Sequence, residues 1–93
     1  MKEKKAIHAI ISGRVQGVFF RMETLRAAER YGVNGWVKNR SDGTVEAVFE
    51  GESEKVDRIV DWCKKGPPMA FVSDIKVDPI NYVGEYKGFL IRP

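Results

Sequence analysis

The spacing of hydrophobic and polar positions changes several times along this chain, and each change marks a predicted strand or helix. Where apolar residues fall at every second position, they predict a strand with one buried face. Where they recur every three or four residues, they predict an amphipathic helix. The predicted strands cover about 6–12, 34–39, 44–50, 71–77 and 88–92, and the predicted helices about 20–31 and 53–65.

The same spacing assigns the residues that face the core. From the strands we expect Ile7, Ala9, Ile11, Val37, Val45, Ala47, Phe49, Ile75, Val77, Phe89 and Ile91, and from the helices Met22, Leu25, Ala28, Val56, Ile59, Val60 and Cys63. Gly32 and the run at 66–68 are predicted to end the helices, and Ser53 to cap the second one. Residues 40–43 predict a hairpin turn, and the Asp-Pro pair at 78–79 is predicted to end the fourth strand.

The predicted elements follow the order strand, helix, strand, strand, helix, strand, with a short C-terminal strand after them. This order is the split βαβ arrangement of ferredoxin-like folds, in the α+β class. Because crossover connections are right-handed, we expect both helices on one face of a largely antiparallel sheet. The length of 93 residues predicts a single domain covering 1–93, without repeats or linkers.

Composition and charge narrow the class of protein. The chain is 43% hydrophobic and 31% charged with a net charge of +3, which is ordinary for a globular domain and does not require nucleic acid. The single cysteine, Cys63, excludes an internal disulfide, and one cysteine with one histidine does not make a typical zinc site. Short apolar runs and the lack of a signal-peptide pattern predict a soluble cytoplasmic protein with no membrane partner.

The segment at 13–21, with the sequence GRVQGVFFR, lies between the first strand and the first helix. Gly13 and Gly17 permit a tight turn in which several backbone N–H groups point the same way. The helix that follows adds unpaired N–H groups and the positive end of its dipole, and Arg21 adds a planar charged donor. The segment therefore predicts a site for a phosphate-sized anion. It lacks the Lys-Ser/Thr pair of a Walker loop and the third glycine of a dinucleotide fingerprint.

The features described so far are also compatible with purely structural roles for the two glycines, Arg21 and Asn39. Two glycines four residues apart often form only a flexible connection between a strand and a helix. An arginine at the start of a helix is usually a surface ion-pair partner, although the helix dipole disfavours a cation there unless an anion lies between them. Asn39, which precedes the hairpin, can simply satisfy the backbone of the turn.

Two stretches of the chain resemble the two signatures of the acylphosphatase family. The first is GRVQGVFFR at 13–21, and the second is GWVKNR at 35–40 followed by DGTVE at 42–46. The family's fold is ferredoxin-like, in agreement with the predicted order of elements. The resemblance continues over almost the whole chain, at Gly51, Gly66, Pro67 and the FLIR of 89–92.

This resemblance implies the hydrolysis of acyl phosphates to a carboxylate and inorganic phosphate, with no metal and no cofactor. Arg21 matches the family's phosphate-binding arginine, and Asn39 matches the asparagine that positions the attacking water. Inorganic phosphate is expected both as product and as competitive inhibitor. The family's phosphate-binding loop is matched by the backbone amides of Arg14, Val15, Gln16, Gly17, Val18 and Phe19.

A second hypothesis is a small RNA-binding module without catalysis, because RNA-recognition domains share the ferredoxin-like fold. The chain is mildly basic, and Lys87–Ile91 superficially resembles the start of an RNP1 motif. That motif belongs on the third strand, whereas this stretch lies on the last one. Glu46 and Glu50, on the expected open face of the third strand, would repel phosphates, so we expect no nucleic-acid partner. A third hypothesis, a non-catalytic interaction domain, is disfavoured by the intact Arg21 and Asn39.

Overall fold

The computed structural model describes residues 2–93 and confirms the predicted order of elements. Neither of the helices in this part of the chain is long and apolar enough to cross a membrane. The strands and helices are β1 (Lys4–Arg14), α1 (Phe20–Tyr31), β2 (Asn34–Asn39), β3 (Val45–Glu52), α2 (Ser53–Lys65), β4 (Phe71–Ile80) and β5 (Phe89–Ile91).

The five strands form one sheet in the order β4-β1-β3-β2-β5. β1 pairs antiparallel with both β3 and β4, and β2 pairs antiparallel with β3. β5 alone runs parallel to its neighbour, β2. The sheet is therefore largely antiparallel, as the ferredoxin-like prediction requires, and β4 and β5 form its two edges.

The core lies between this sheet and the two helices. α1 packs against β2 and β5, whereas α2 packs against β1, β3 and β4. Most of the predicted inward residues are buried in one cluster, namely Ile7, Ala9, Ile11, Ala28, Val37, Val45, Ala47, Phe49, Val56, Ile59, Cys63 and Phe89. Leu25, Val60, Ile75 and Ile91 are partly buried and pack against it.

The predicted buried stripe of α1 is partly wrong. Met22 is 43% exposed, and the helix buries Phe20, Thr24, Ala27 and Ala28 instead. The hydroxyl of Thr24 donates a hydrogen bond to the carbonyl oxygen of Phe20 at 2.7 Å, so this polar side chain is satisfied inside the core. The prediction considered only apolar residues and therefore missed Thr24. As a result, it assigned the buried side of α1 to a different set of residues.

The predicted ends of several elements also differ from the structure. β1 runs from Lys4 to Arg14 instead of about 6–12. β4 continues through Asp78 and Pro79 to Ile80, because an edge strand tolerates a residue without an N–H group. Its edge position also leaves Val77, predicted inward, 38% exposed. β3 continues to Glu52, past its predicted end at Gly51. Ser53 consequently does not cap α2 but is its first residue, and its N–H donates to the carbonyl oxygen of Glu3 at 2.9 Å.

The sheet face opposite the helices is less open than the sequence predicted. Glu50 is only 1% exposed, because the segment 81–88 lies over it. The N–H of Tyr86 donates to Glu50 Oε1 at 3.3 Å, and Asn34 Nδ2 donates to the carbonyl oxygen of Tyr86 at 3.2 Å. Trp36 Nε1 donates to the hydroxyl of the same tyrosine at 3.3 Å. Tyr86 thus attaches this segment to both β2 and β3.

Replacing Phe49 by alanine is expected to destabilise the fold strongly. Phe49 is fully buried, and its ring stacks on Phe89 with 5.6 Å between the ring centroids. Truncating a buried phenylalanine lowers the free energy of unfolding by about 3–5 kcal/mol. Phe71→Ala is the matched control, because Phe71 is 69% exposed, and we expect it to stay within about 0.5 kcal/mol of the wild type. Urea denaturation measures both, and equal losses would contradict this description of the core.

Candidate active site

The loop 15–19, between β1 and α1, is anchored to the core by two buried valines. Val15 and Val18 are 1% and 6% exposed and belong to the core cluster. Gly13, at the irregular end of β1, has φ +121°, and a Cβ atom there would lie 2.1 Å from the carbonyl oxygen of Phe71. Only glycine therefore permits this close approach of β1 to β4. The loop begins from a fixed backbone position.

The backbone N–H groups of this loop are available to a ligand. Within residues 2–93, those of 15–19 donate to no backbone or side-chain acceptor. Positive φ angles at Gly17 (+75°) and Phe19 (+66°) turn the chain sharply before α1 begins at Phe20. Unpaired N–H groups in such a turn at the start of a helix form a binding site for anions.

The side chain of Gln16 fixes the loop to the hairpin turn between β2 and β3. Its Nε2 donates to the carbonyl oxygen of Arg40 at 2.8 Å and to that of Thr44 at 2.9 Å. The sequence suggested only a backbone role for Gln16, since nothing in the local pattern identifies two acceptors so far along the chain. The consequence is that the loop lies beside Asn39, the last residue of β2.

A cleft of about 400 Å³ opens where the loop, α1 and β2 meet. It brings together Arg21 and Asn39, the two side chains that the sequence singled out. Three of the proposed loop residues do not line this cleft. Arg14 is the last residue of β1, the side chain of Gln16 bonds to the hairpin turn, and Val18 packs in the core. The residues that line the cleft are Val15, Gly17, Phe19, Phe20, Arg21, Met22, Asn39 and Ile91.

Arg21 is exposed at the second position of α1 and faces no acidic partner in the described part of the chain. Glu23, the acidic residue of the first turn, instead pairs with Arg26, with 2.9 Å between Oε2 and the guanidinium Nη1. The alternative of a surface ion pair for Arg21 is therefore not realised. Its positive charge lies uncompensated at the positive end of the helix dipole, which favours an anion between the two.

Asn39 contributes an unsatisfied polar atom to the cleft. Its Oδ1 is buried and has no hydrogen-bond partner. Other groups satisfy the turn, since Asp42 Oδ1 accepts from the Thr44 amide at 3.0 Å and from its hydroxyl at 2.6 Å. The hydroxyl and then the amide of Thr44 lower the pKa of Asp42. A buried acceptor without a partner is destabilising, so a hydrogen-bond donor that reaches Asn39 Oδ1 would relieve that cost.

The other chemically reactive side chains lie away from this cleft. On the opposite face of the sheet, His8 Nε2 lies 2.7 Å from Glu46 Oε2, and Lys38 Nζ lies 3.7 Å from Oε1 of the same carboxylate. The thiol of Cys63 is fully buried in the core, and this burial raises its pKa. Among the residues that the structure describes, no three His, Cys, Asp or Glu side chains are grouped to hold a metal ion.

Two residues of the cleft have positions that the sequence did not indicate. Met22 was expected in the core, whereas it borders the cleft from the exposed side of α1. Ile91 reaches the cleft because β5 lies beside β2, where it pairs with Val37. The sheet position of the last strand depends on non-local pairing, so no local pattern of residues specified it.

The pair formed by Glu46 and His8 predicts a pH-dependent contribution to stability. The hydrogen bond to His8, and then the charges of His8, Lys38 and Arg40, hold the pKa of Glu46 below its ordinary value of 4.5. A lowered pKa in the folded state stabilises the fold when the carboxylate is ionised, and this contribution is lost as the pH falls through that pKa. We expect Glu46→Gln to be less stable than wild type by about 1 kcal/mol or less at neutral pH.

This difference in unfolding free energy is expected to shrink toward zero as the pH falls below 4.5, because wild-type Glu46 becomes neutral as the pH passes through its lowered pKa. Urea denaturation of both proteins across this range measures it. A difference that stays constant, or grows on acidification, would contradict the stabilising role of the ionised pair.

Comparison with known proteins finds relatives and solved structures that are similar to this chain over almost its whole length. The family model described as acylphosphatase matches residues 7–91. An acylphosphatase of Pelotomaculum thermopropionicum is 54% identical over 84 residues, covering 90% of this chain and 91% of the relative. The structure of an acylphosphatase from Coxiella burnetii matches with a TM-score of 0.90 and 42% identity over 96% of this chain and 93% of that one. That of acylphosphatase from Bacillus subtilis matches with a TM-score of 0.92 and 35% identity, over 98% and 100%.

Proposed function

We propose that Arg21 and the loop 15–19 hold the phosphate and that Asn39 positions the water in this chain, which belongs to the acylphosphatase family and hydrolyses acyl phosphates. One observation carries the assignment of roles. A single cleft is lined by the unpaired Arg21, by part of the loop whose N–H groups have no internal partner, and by Asn39, whose buried amide oxygen also has none. The first two groups attract an anion, and the third accepts a hydrogen bond from a neutral donor such as water.

Phosphate binding follows from the charges and donors on one side of the cleft. The loop amides donate hydrogen bonds to the phosphate oxygens, and the start of α1 adds the positive end of its dipole. The guanidinium of Arg21 supplies charge-assisted hydrogen bonds with a fixed planar geometry. As the bond to the leaving group breaks, these same groups stabilise the charge that redistributes over the phosphoryl oxygens.

The reaction does not require a general acid. The leaving group is a carboxylate, whose conjugate acid has a pKa of about 4, so it departs without a proton at neutral pH. Phosphoryl transfer otherwise depends mainly on alignment and charge stabilisation. A site without a histidine, a cysteine or a carboxylate pair in contact with the substrate is compatible with this chemistry.

The water is assigned to Asn39. Its Oδ1 accepts a hydrogen bond from the water and leaves an oxygen lone pair of the water free to attack the phosphorus. The same carboxamide carries an NH₂ group that can donate, so Asn39 fixes an orientation without taking up a full charge. In-line displacement then sends the acyl carboxylate out on the side of the phosphorus opposite Asn39.

The finer expectations about partners belong to the same proposal. We propose that inorganic phosphate, the product, competes with the substrate for the loop, and that the protein acts in the cytoplasm. Nucleic acid is disfavoured as a partner by two features of the sheet face. Trp36 is only 8% exposed, and the Arg92 guanidinium lies 4.7 Å from its ring centroid, so the ring is not free to stack on a base.

Replacing Arg21 by glutamine is expected to abolish hydrolysis of benzoyl phosphate and to weaken the binding of inorganic phosphate, because the charge that holds the anion is lost. Steady-state kinetics measures the rate, and a calorimetric titration with inorganic phosphate measures the binding. Arg26→Gln is the matched control, since Arg26 lies on the same helix and pairs with Glu23. Wild-type affinity for phosphate in the Arg21 variant would refute its role, and no turnover by the folded wild type would refute the activity.

Replacing Asn39 by alanine is expected to lower kcat by about 10²-fold or more, by analogy with removing one preorganised polar group. Inorganic phosphate should still inhibit with a constant close to that of the wild type, because the anion contacts remain. Asn81→Ala, an exposed asparagine outside the cleft, serves as control. If the Asn39 variant lost affinity for phosphate while keeping its kcat, the proposed division of roles would be wrong.

Excess EDTA is expected to leave the rate of hydrolysis unchanged, because every proposed contact to the phosphate comes from the chain itself. The measurement compares initial rates before and after dialysis against the chelator. A rate that falls on dialysis and returns when a divalent cation is added would contradict this mechanism.

A further inference from the structure

Phe19 combines two unfavourable features at the edge of the phosphate cleft. Among the non-glycine residues in the described part of the chain, it alone has a positive φ, at 66°. Its aromatic side chain is also 71% exposed. A bulky residue in this backbone region is strained, and strain of this kind concentrates at functional sites. The loop conformation accounts for the backbone angle, but it does not account for an exposed aromatic ring.

A second cleft, of about 300 Å³, begins on the other side of Phe19. It is lined by Val18, Phe19, Glu23, Pro67, Pro68 and Met69. Phe19 is the one residue that it shares with the phosphate cleft. Met69 is 63% exposed, so an unpaired apolar side chain lies beyond the ring of Phe19. The charged residue of this lining, Glu23, is already paired with Arg26. The surface of this second cleft, which adjoins the phosphate cleft at Phe19, is therefore mainly apolar.

The topology of the sheet places this second cleft on the leaving-group side. Asn39 ends β2, and residues 67–70 lead into β4. β2 and β4 lie on opposite sides of the central pair β1 and β3, and the phosphate-binding loop follows β1. A water at Asn39 therefore approaches the phosphorus from the β2 side. In-line displacement directs the leaving carboxylate toward β4, where the second cleft begins.

We propose that Phe19, Pro67, Pro68 and Met69 form an acyl groove that binds the organic part of the substrate. The substrate class is then acyl phosphates with an uncharged aromatic or extended aliphatic acyl group, and Phe19 and Met69 determine this specificity. The inference rests on the proposed hydrolysis of acyl phosphates, and it adds the direction and the chemical nature of the leaving group. It also explains the exposed ring of Phe19, which the bound acyl group covers.

The test compares benzoyl phosphate, whose ring reaches the groove, with acetyl phosphate, whose methyl group does not. Wild-type kcat/KM is expected to be higher for benzoyl phosphate. Met69→Ser should lower kcat/KM for benzoyl phosphate about three- to tenfold through KM, because it removes apolar contact that acts equally in the ground and transition states. The value for acetyl phosphate should stay within about twofold of the wild type. Met69 lies outside the loop 15–19, so the phosphate contacts remain intact.

Three further variants complete the test. Met69→Leu keeps an apolar side chain and should retain the preference for benzoyl phosphate, which separates apolar contact from a structural effect. Val83→Ser removes an apolar residue that is 65% exposed on the segment 81–88, and it should change kcat/KM for neither substrate. Met22→Ser changes an exposed apolar residue that lines the phosphate cleft but not the second cleft, and it should leave the ratio of the two kcat/KM values unchanged.

Failure of the groove and failure of the proposed function give different results. A wild type that hydrolyses both substrates, with a ratio of kcat/KM that Met69→Ser does not alter, would overturn the acyl groove alone. A ratio that changes in Met22→Ser instead would place the acyl group against Met22 and also overturn it. A folded wild type that hydrolyses neither substrate would overturn the proposed function and the groove together.

Discussion

The geometry of the candidate site depends on one side chain, that of Gln16. Its two hydrogen bonds, to the carbonyl oxygens of Arg40 and Thr44, join the loop after β1 to the turn after β2. Each such bond is worth only about 1 kcal/mol to stability. Their importance is positional, because they hold the amides proposed to bind the anion against the strand end that carries Asn39. Displacements of about 1 Å between reacting groups can lower rates about 10²-fold, so this link matters more to geometry than to folding.

Strand pairing in the sheet fixes the positions of the strands that carry the loop and Asn39. Val45 of β3 pairs with Ile11 of β1 on one side and with Asn39 of β2 on the other, so the ends of these strands meet at one edge of the sheet. Val15 anchors the following loop in the same core. The ferredoxin-like fold of the acylphosphatase family thus places a loop, a helix start and a strand end around one cleft. The chemistry proposed for that cleft needs positioned donors and acceptors and little else.

Local patterns in the sequence predicted the elements and most of the core, because the periodicity of apolar residues follows from the geometry of strands and helices. Local patterns failed at residues whose surroundings depend on distant parts of the chain. Pro79 remains in a strand because β4 is an edge, and Glu50 is buried because Tyr86 lies over it. The two side chains proposed for catalysis were found through the resemblance to family signatures. The side-chain role of Gln16 and the apolar surface at Met69 became visible only in three dimensions.

The central claim is that the loop and Arg21 hold the phosphoryl group while Asn39 positions the attacking water. A crystal structure with orthovanadate, which adopts the five-coordinate geometry of in-line displacement, tests it most directly. We expect equatorial oxygens bound by the N–H groups of 15–19 and by Arg21, and one apical oxygen within hydrogen-bonding distance of Asn39 Oδ1. A vanadate bound in the loop with both apical oxygens away from Asn39, or bound elsewhere on the protein, would contradict it.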